Sequence, residues 1–243
     1  MSMTRCFAIL LFLLPSLALA VSFSLIVEER GHDFPSNAPT STKKTYLYQD
    51  DQVRVHEAAT DRLELLDRGK ARYLAWSERD RTYVEYPLQQ ILGTFSEPFA
   101  YLASAKSTFQ VDPTAEVPCG TWTCRRALIS FEDRSLSIEL LLAPIAGLSS
   151  KDFLTFFELL GRIGTFGKHT EELGRQTGFP VKITATYQRS TGERKPLSMI
   201  FTVLEAKVAP PIPADAFEVP KGFSPLHPAT ATEAVPLKNR DPR

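Results

Sequence analysis

From Val181 to Tyr187 the chain alternates, with Val181, Ile183, Ala185 and Tyr187 on one side and Lys182, Thr184 and Thr186 on the other. Successive strand side chains point to opposite faces, so this period of two builds one apolar and one wet face. Ser190, Thr191 and Gly192 supply turn chemistry, and the run from Leu197 to Val208 returns beside the first. The two runs therefore read as an antiparallel hairpin. A chain that repeats this pattern must find a cover for one face of a sheet, and that requirement governs the rest of the reading.

The pattern does repeat. Phe23, Leu25 and Val27 alternate with Ser22, Ser24 and Ile26, so Val21 to Glu29 is a strand with one clear apolar face. Gly31 to Thr42, with two prolines and several hydroxyl residues, reads as a surface loop. Lys44 to Gln49 and Val53 to Ala58 form a hairpin turned at Asp50-Asp51, and Leu63 to Leu66 is a short strand. Arg72 to Trp76 and Thr82 to Tyr86 pair again around Glu78 to Asp80. Short strands and close turns leave no room for crossover helices, so the sheet is antiparallel. Trp122 to Phe131 and the apolar run Leu136, Ile138, Leu140, Leu142 add two strands, after a proline-bounded connector at Asp112 to Pro118.

Two segments change period. Leu88, Ile91, Leu92 and Phe95 recur at helical spacing, Ser96-Glu97-Pro98 restarts a helix, and Phe99, Leu102 and Ala103 continue the stripe. We read 88 to 107 as a broken helical pair, its aromatics either core or the inner face of a lid that meets a ligand. Ser149 with Asp152 begins a helix by capping chemistry. Phe153, Phe156, Phe157, Leu160 and Ile163 then give a wide apolar face to a helix from 149 to 166. Gly161, Gly164 and Gly167 weaken its end. Pro210 to Pro213 excludes a central strand, and Asp215-Ala216-Phe217 reads as one turn that plugs Phe217 into the core.

The ends of the chain read differently. Arg5, the apolar run Phe7 to Leu14 and Ala18-Leu19-Ala20 form a secretory signal peptide cleaved after Ala20. The run is too short to span a membrane, and no second one follows. Residues 21 to 224 make a single domain, and 225 to 243, rich in proline, threonine and charge without a period, make a disordered tail. The expected location is the periplasm.

Basic and acidic residues balance at 28 each, with no long single-sign run, which gives no support to a nucleic-acid partner. Cys119 and Cys124 are the cysteines left after cleavage. In an oxidising compartment a structural disulfide is the favoured reading, worth roughly 2 kcal/mol for so short a loop. Two unpaired thiols, and redox or metal chemistry, stay open. His32, His56, His169 and His227 show no metal-ligand spacing, and no nucleophile elbow, phosphate loop or dinucleotide motif occurs. The expectation is no catalytic residue, no metal and no cofactor. His56 beside Glu57 points to the opposite strand face, and His169 near Glu171 and Glu172 reads as a surface cluster at a helix start. Tyr46, Tyr48, Tyr73, Trp76, Tyr83 and Tyr86 recur on the early strands, either as cross-strand pairs or as the lining of a groove.

Five short stretches carry a resemblance: Gln52-Val53-Arg54-Val55, Thr82 to Pro87, Trp122 to Arg126, Gly178 to Lys182, and Asp215 to Phe223. Over about residues 43 to 223 the sequence resembles a bacterial extracytoplasmic family of unknown function. That family is related to the outer-membrane lipoprotein carrier (LolA/LppX-like) fold. The resemblance implies an α+β, mostly β chain: a curved antiparallel sheet, an unclosed half-barrel, with helices across its concave face and a cavity that takes acyl chains. The sequence departs from the pattern at Cys119 and in its phenylalanine-rich helix, and no lipid-binding residue transfers by motif.

The expected function is thus a non-catalytic envelope protein that binds a lipid or other hydrophobic ligand, such as lipoprotein acyl chains. The expected cavity lining is Leu92, Phe95, Phe99, Leu102, Phe153, Phe156, Phe157, Leu160 and Trp76. The alternative is a filled-core module that binds an envelope protein partner through a sheet edge or the tail.

Overall fold

The structure is a computed structural model that describes residues 21–32, 38–132, 136–187 and 197–226. Its frame is one open twelve-stranded sheet: β1 Ser22–His32, β2 Pro39–Gln49, β3 Gln52–Glu57, β4 Arg62–Asp67, β5 Arg72–Ser77, β6 Thr82–Pro87, β7 Ser107–Cys119, β8 Trp122–Phe131, β9 Leu136–Ala143, β10 Phe179–Tyr187, β11 Leu197–Val208 and β12 Ser224–Pro225. The spatial order is β12-β6-β5-β4-β3-β2-β1-β11-β10-β9-β8-β7. Every neighbouring pair is antiparallel except β12 with β6. The first and last thirds of the chain meet where β1 lies between β2 and β11.

The meander has a regular build. From β3 to β6 each strand is six residues long and starts ten residues after the one before. Each four-residue loop ends in a residue at positive φ, namely Asp61, Ala71 and Arg81, at 51–55°. Such loops, built round a tight turn, fix the register by length alone. Two bulges curve the other half. The register slips between Ile26 and Val27 in β1, where Leu204 of β11 is the extra residue, and again between Pro180 and Lys182 in β10. A bulge bends its strand and increases the local twist, so the sheet wraps round what covers it.

The main cover is α2, Ser150–Leu159. Its start follows from the capping box: the Ser149 side chain accepts from the Asp152 amide, and the Asp152 carboxylate accepts from the Ser149 amide at 2.8 Å. Phe153 and Phe156 are fully buried. Phe156 meets Phe23 of β1 and Tyr46 of β2 edge-on at 5.6 and 5.4 Å, while Phe153 meets Phe179 of β10 at 5.4 Å. Aromatic rings prefer such edge-to-face contacts, so α2 is locked onto the strands at the middle of the sheet. A second cover, α1 Leu88–Ser96 followed by the 3-10 turn Glu97–Ala103, buries Leu88 and Leu102.

The single helix expected from 149 to 166 stops early. Gly161 takes φ 69°, and its amide reaches the Glu158 carbonyl while the Arg162 amide reaches the Phe157 carbonyl. This pair of bonds is the glycine-terminated Schellman ending. A 3-10 segment, Ile163–His169, and α3, Thr170–Gly174, follow. Gly167 allows this segment to lie on the first cover, since a Cβ there would sit 2.7 Å from the Leu102 carbonyl oxygen.

The described residues of two expected loops are strands, with 33–37 of the first lying outside the described residues. Gly31 pairs with Thr40 and His32 with Pro39, so the hairpin runs on into the proposed loop at both ends. Threonines favour strands, and a proline at a strand's first residue removes no interior ladder bond. The expected connector at Asp112 to Pro118 belongs to β7, with a register break between Asp112 and Glu116. β7 is an edge strand, where proline costs little.

The convex face has its own small core: Leu63, Leu65, Leu74 and Trp76, closed by Ala216 and Phe217. Phe217 does plug a core, on this outer side. Arg72 ties the segment down, bridging buried Asp67 at 3.4 Å and Glu218 at 3.5 Å. The expected signal peptide and nearly all of the expected tail lie outside the described residues.

Candidate functional site

Between α2 and the concave face lies a half-enclosed cavity of about 450 Å³. Its lining divides by strand. β10 and β11 contribute Ile183, Ala185, Met199 and Phe201, and α2 and its end contribute Phe157 and Leu160. Across the sheet β1, β2 and β4 contribute Glu29, Arg30, Lys44, Arg62 and Glu64. Val55 of β3 and Leu66 of β4 are the apolar residues on that side.

Glu29 is the centre of the polar side. It continues the inward parity of Phe23, Leu25 and Val27, so the strand that packs α2 also places a carboxylate under it. One carboxylate oxygen accepts from the Tyr46 hydroxyl and from Arg162 Nη1, both at 2.7 Å, and the other accepts from Lys44 Nζ at 2.8 Å. Arg162 arrives there because the glycine-terminated helix end turns the chain back at the residue before it. Burial alone would push the Glu29 carboxyl up, but Arg162 and Lys44 overcome it and hold the group at about 2. The same burial, followed by the neighbouring Glu29 charge, raises the Tyr46 hydroxyl well above its ordinary value. Arg62 Nε pairs with Glu64 at 2.8 Å, and Arg62 Nη2 donates to the Tyr73 hydroxyl at 3.4 Å.

A second polar chain lies elsewhere. His169 is buried rather than on the surface: its Nε2 is 2.9 Å from Ser107 Oγ, and its Nδ1 meets the Glu172 carboxylate. The order hydroxyl–imidazole–carboxylate is that of an activated nucleophile. Ser107 is only 8% exposed, however, and none of the three residues lines the cavity. What the chain does is tie the start of β7 to the start of α3. Sequence spacing hid it, because Ser107 and His169 are 62 residues apart.

The nine residues expected at the cavity fall in different places. Phe157 and Leu160 line it. Phe153, Phe156 and Leu102 are buried in the main core, with half-buried Leu92 packed against it. Trp76 faces the convex side, because strand parity sends Tyr73 and Trp76 to opposite faces. The side chains of Phe95 and Phe99 lie outside the described residues. The row of early aromatics divides likewise: Tyr46, Tyr48, Tyr73 and Tyr86 pack inside, and Trp76 and Tyr83 outside. The charged residues of the site were missed; the one signal for them was a glutamate, Glu29, in register with an apolar stripe.

Cys119 and Cys124 are free thiols, both buried, on the β7–β8 hairpin. The expected disulfide is therefore not present in the structure. Burial, with Cys119 beside it, pushes the Cys124 thiol up to about 12. No group of three or more histidine, cysteine or acidic residues is placed to hold a metal ion among the described residues. No described helix is long and apolar enough to cross a membrane.

No family model and no curated protein matches the chain. Among solved structures it is similar to PNGF-II, at 8% identity and TM-score 0.37 over 85% of this chain and 31% of that one. It is similar to a chain of the Pseudomonas aeruginosa MucA/MucB complex, at 12% identity and TM-score 0.36 over 82% of this chain and 55% of that one. It is also similar to a LolA superfamily protein from Nitrosomonas europaea, at 10% identity and TM-score 0.33 over 82% of this chain and 89% of that one. The chain thus spans a third to about half of the first two. At these scores the likenesses establish no family; the half-barrel rests on its own strand order, registers and covering helices.

Proposed function

We propose that this is a non-catalytic protein of the bacterial periplasm, exported by cleavage after Ala20, that binds a hydrophobic chain under α2. The observation that carries the reading is the cavity of about 450 Å³ between that helix and the concave face. Its volume lies within the range of small-molecule sites, which are concave and mostly apolar with a few placed polar groups. A filled-core interaction module has no use for such a space. Each methylene moved from water onto Phe157, Leu160, Ile183 and Phe201 contributes about 0.8 kcal/mol, so affinity should climb with chain length until the cavity is full.

The test is native mass spectrometry of the mature protein purified without detergent, followed by titration with a fluorescent fatty acid. Co-purified lipid or saturable uptake supports the reading. Repeated absence of bound lipid together with no uptake removes it.

A further inference from the structure

The cavity is poled across the strand order, and this selects among hydrophobic ligands. Its β10–β11 side presents Ile183, Ala185 and Phe201, and its β1–β4 side presents charge. On that charged side the cations Arg30, Lys44, Arg62 and Arg162 face only the carboxylates Glu29 and Glu64. Glu29 is shared by two of them, Lys44 and Arg162, at 2.8 and 2.7 Å, so this half-buried group carries a net positive charge. Arg62 is matched one to one by Glu64 at 2.8 Å, and Arg30 by Glu28, which is not in the lining, at 2.8 Å. The surplus therefore sits at Lys44 and Arg162. Arg162 Nη1 is spent on Glu29, while the planar guanidinium carries further N–H donors suited to a second anion.

We infer that the ligand of this site is a single-chain amphiphile with one negatively charged head, a carboxylate or a phosphate. Its chain lies along Phe157, Leu160, Ile183 and Phe201, and its head on the Lys44–Arg162 side. The inference rests on the preceding reading that the cavity takes an apolar chain. A neutral head there would leave the surplus charge unanswered in a half-enclosed, weakly screened space, and a cationic head would add to it.

The experiment is calorimetric titration of the mature protein with four ligands of one chain length, each below its aggregation concentration: dodecanoate, dodecyl phosphate, dodecanol and dodecyltrimethylammonium. Dodecanoate or dodecyl phosphate should bind about tenfold or more tighter than dodecanol, with the cation weakest. The gap should narrow as salt rises. Whichever anion binds tighter identifies the head. Lys44→Gln should weaken dodecanoate and dodecyl phosphate by a clearly larger factor than it weakens dodecanol, so that the ratio of anion to alcohol affinity falls towards one. Dodecanol equal to both anions, or a Lys44→Gln variant that loses all ligands alike, overturns the inference and leaves the apolar reading standing. No binding by any of the four removes the apolar reading itself. An acidic peptide without an acyl chain that binds as tightly as dodecanoate also overturns the inference.

Discussion

The two faces of the sheet are covered in different ways, the convex one at β4 and β5 and the concave one chiefly at β1, β2 and β10. On the convex side of β4 and β5, an irregular segment with little secondary structure lays Ala216 and Phe217 on Leu63, Leu65, Leu74 and Trp76 and is clamped by Arg72 and Lys70 to Glu218. On the concave side a rigid helix covers the strands. A helix is straight over ten residues while the sheet beneath it curves, so contact is close under Phe153 and Phe156 and opens towards Phe157, Leu160 and Arg162. A loose segment can follow a surface and fill it; a stiff one leaves a gap where the surface turns away. The gap is where the site is.

The comparison can be broken at several points. The largest effect is expected at the helix's closest contact. Phe156→Ala should cost about 3–5 kcal/mol in chemical denaturation, the range for a fully buried phenylalanine. Phe217→Ala on the convex side should cost about half that, because its lining can collapse. Equal costs would mean that the convex cover is as rigid as the helix.

Next comes the carboxylate under α2. Because its folded value, about 2, lies below the ordinary 4.5, Glu29 contributes stability that is complete above about pH 4.5 and is lost as pH falls towards 2. The contribution is on the order of 3 kcal/mol. Denaturation midpoints measured from pH 6 down to pH 2 should fall in the wild type, and part of that fall should vanish in Glu29→Gln. An unchanged acid limb would show that the Arg162 contact does not hold the helix end.

Filling the gap separates site from scaffold. Leu160→Trp should abolish fatty-acid uptake at a cost of about 1–2 kcal/mol in stability; uptake that survives would place the ligand elsewhere. Ser107→Ala should cost about 1 kcal/mol through the lost hydrogen bond to His169, with no change in ligand affinity. The smallest effect is expected on the convex face. The Trp76 indole N–H is buried without a partner, so Trp76→Phe should stay within about 1 kcal/mol of wild type. A large loss there would mean that the Arg54 guanidinium, 5.9 Å over the ring, contributes more than the missing hydrogen bond costs.

Local chemistry was enough to read the strands of the meander, the hairpin of β10 and β11, the helix cap at Ser149 and the apolar face of α2. Each depends on neighbours two to four residues apart, and periodicity reports those directly. The fate of Asp112 to Pro118 was not readable, because proline argues against a strand only where both edges are paired, and β7 turned out to be an edge. The length of α2 was readable only in part: Gly161 marked a weak end, but which glycine would close the helix depends on the bonds it makes.

The sequence by itself determined an antiparallel, mostly β chain with two apolar helical covers, since alternation and helical spacing are written in single residues. Only the tertiary structure decided which face each aromatic serves, that His169 is buried against Ser107, and that Glu29, Lys44, Tyr46 and Arg162 converge. Those outcomes depend on bringing together residues as much as 133 positions apart. Strand parity and sheet curvature fix such meetings, and no local pattern records them.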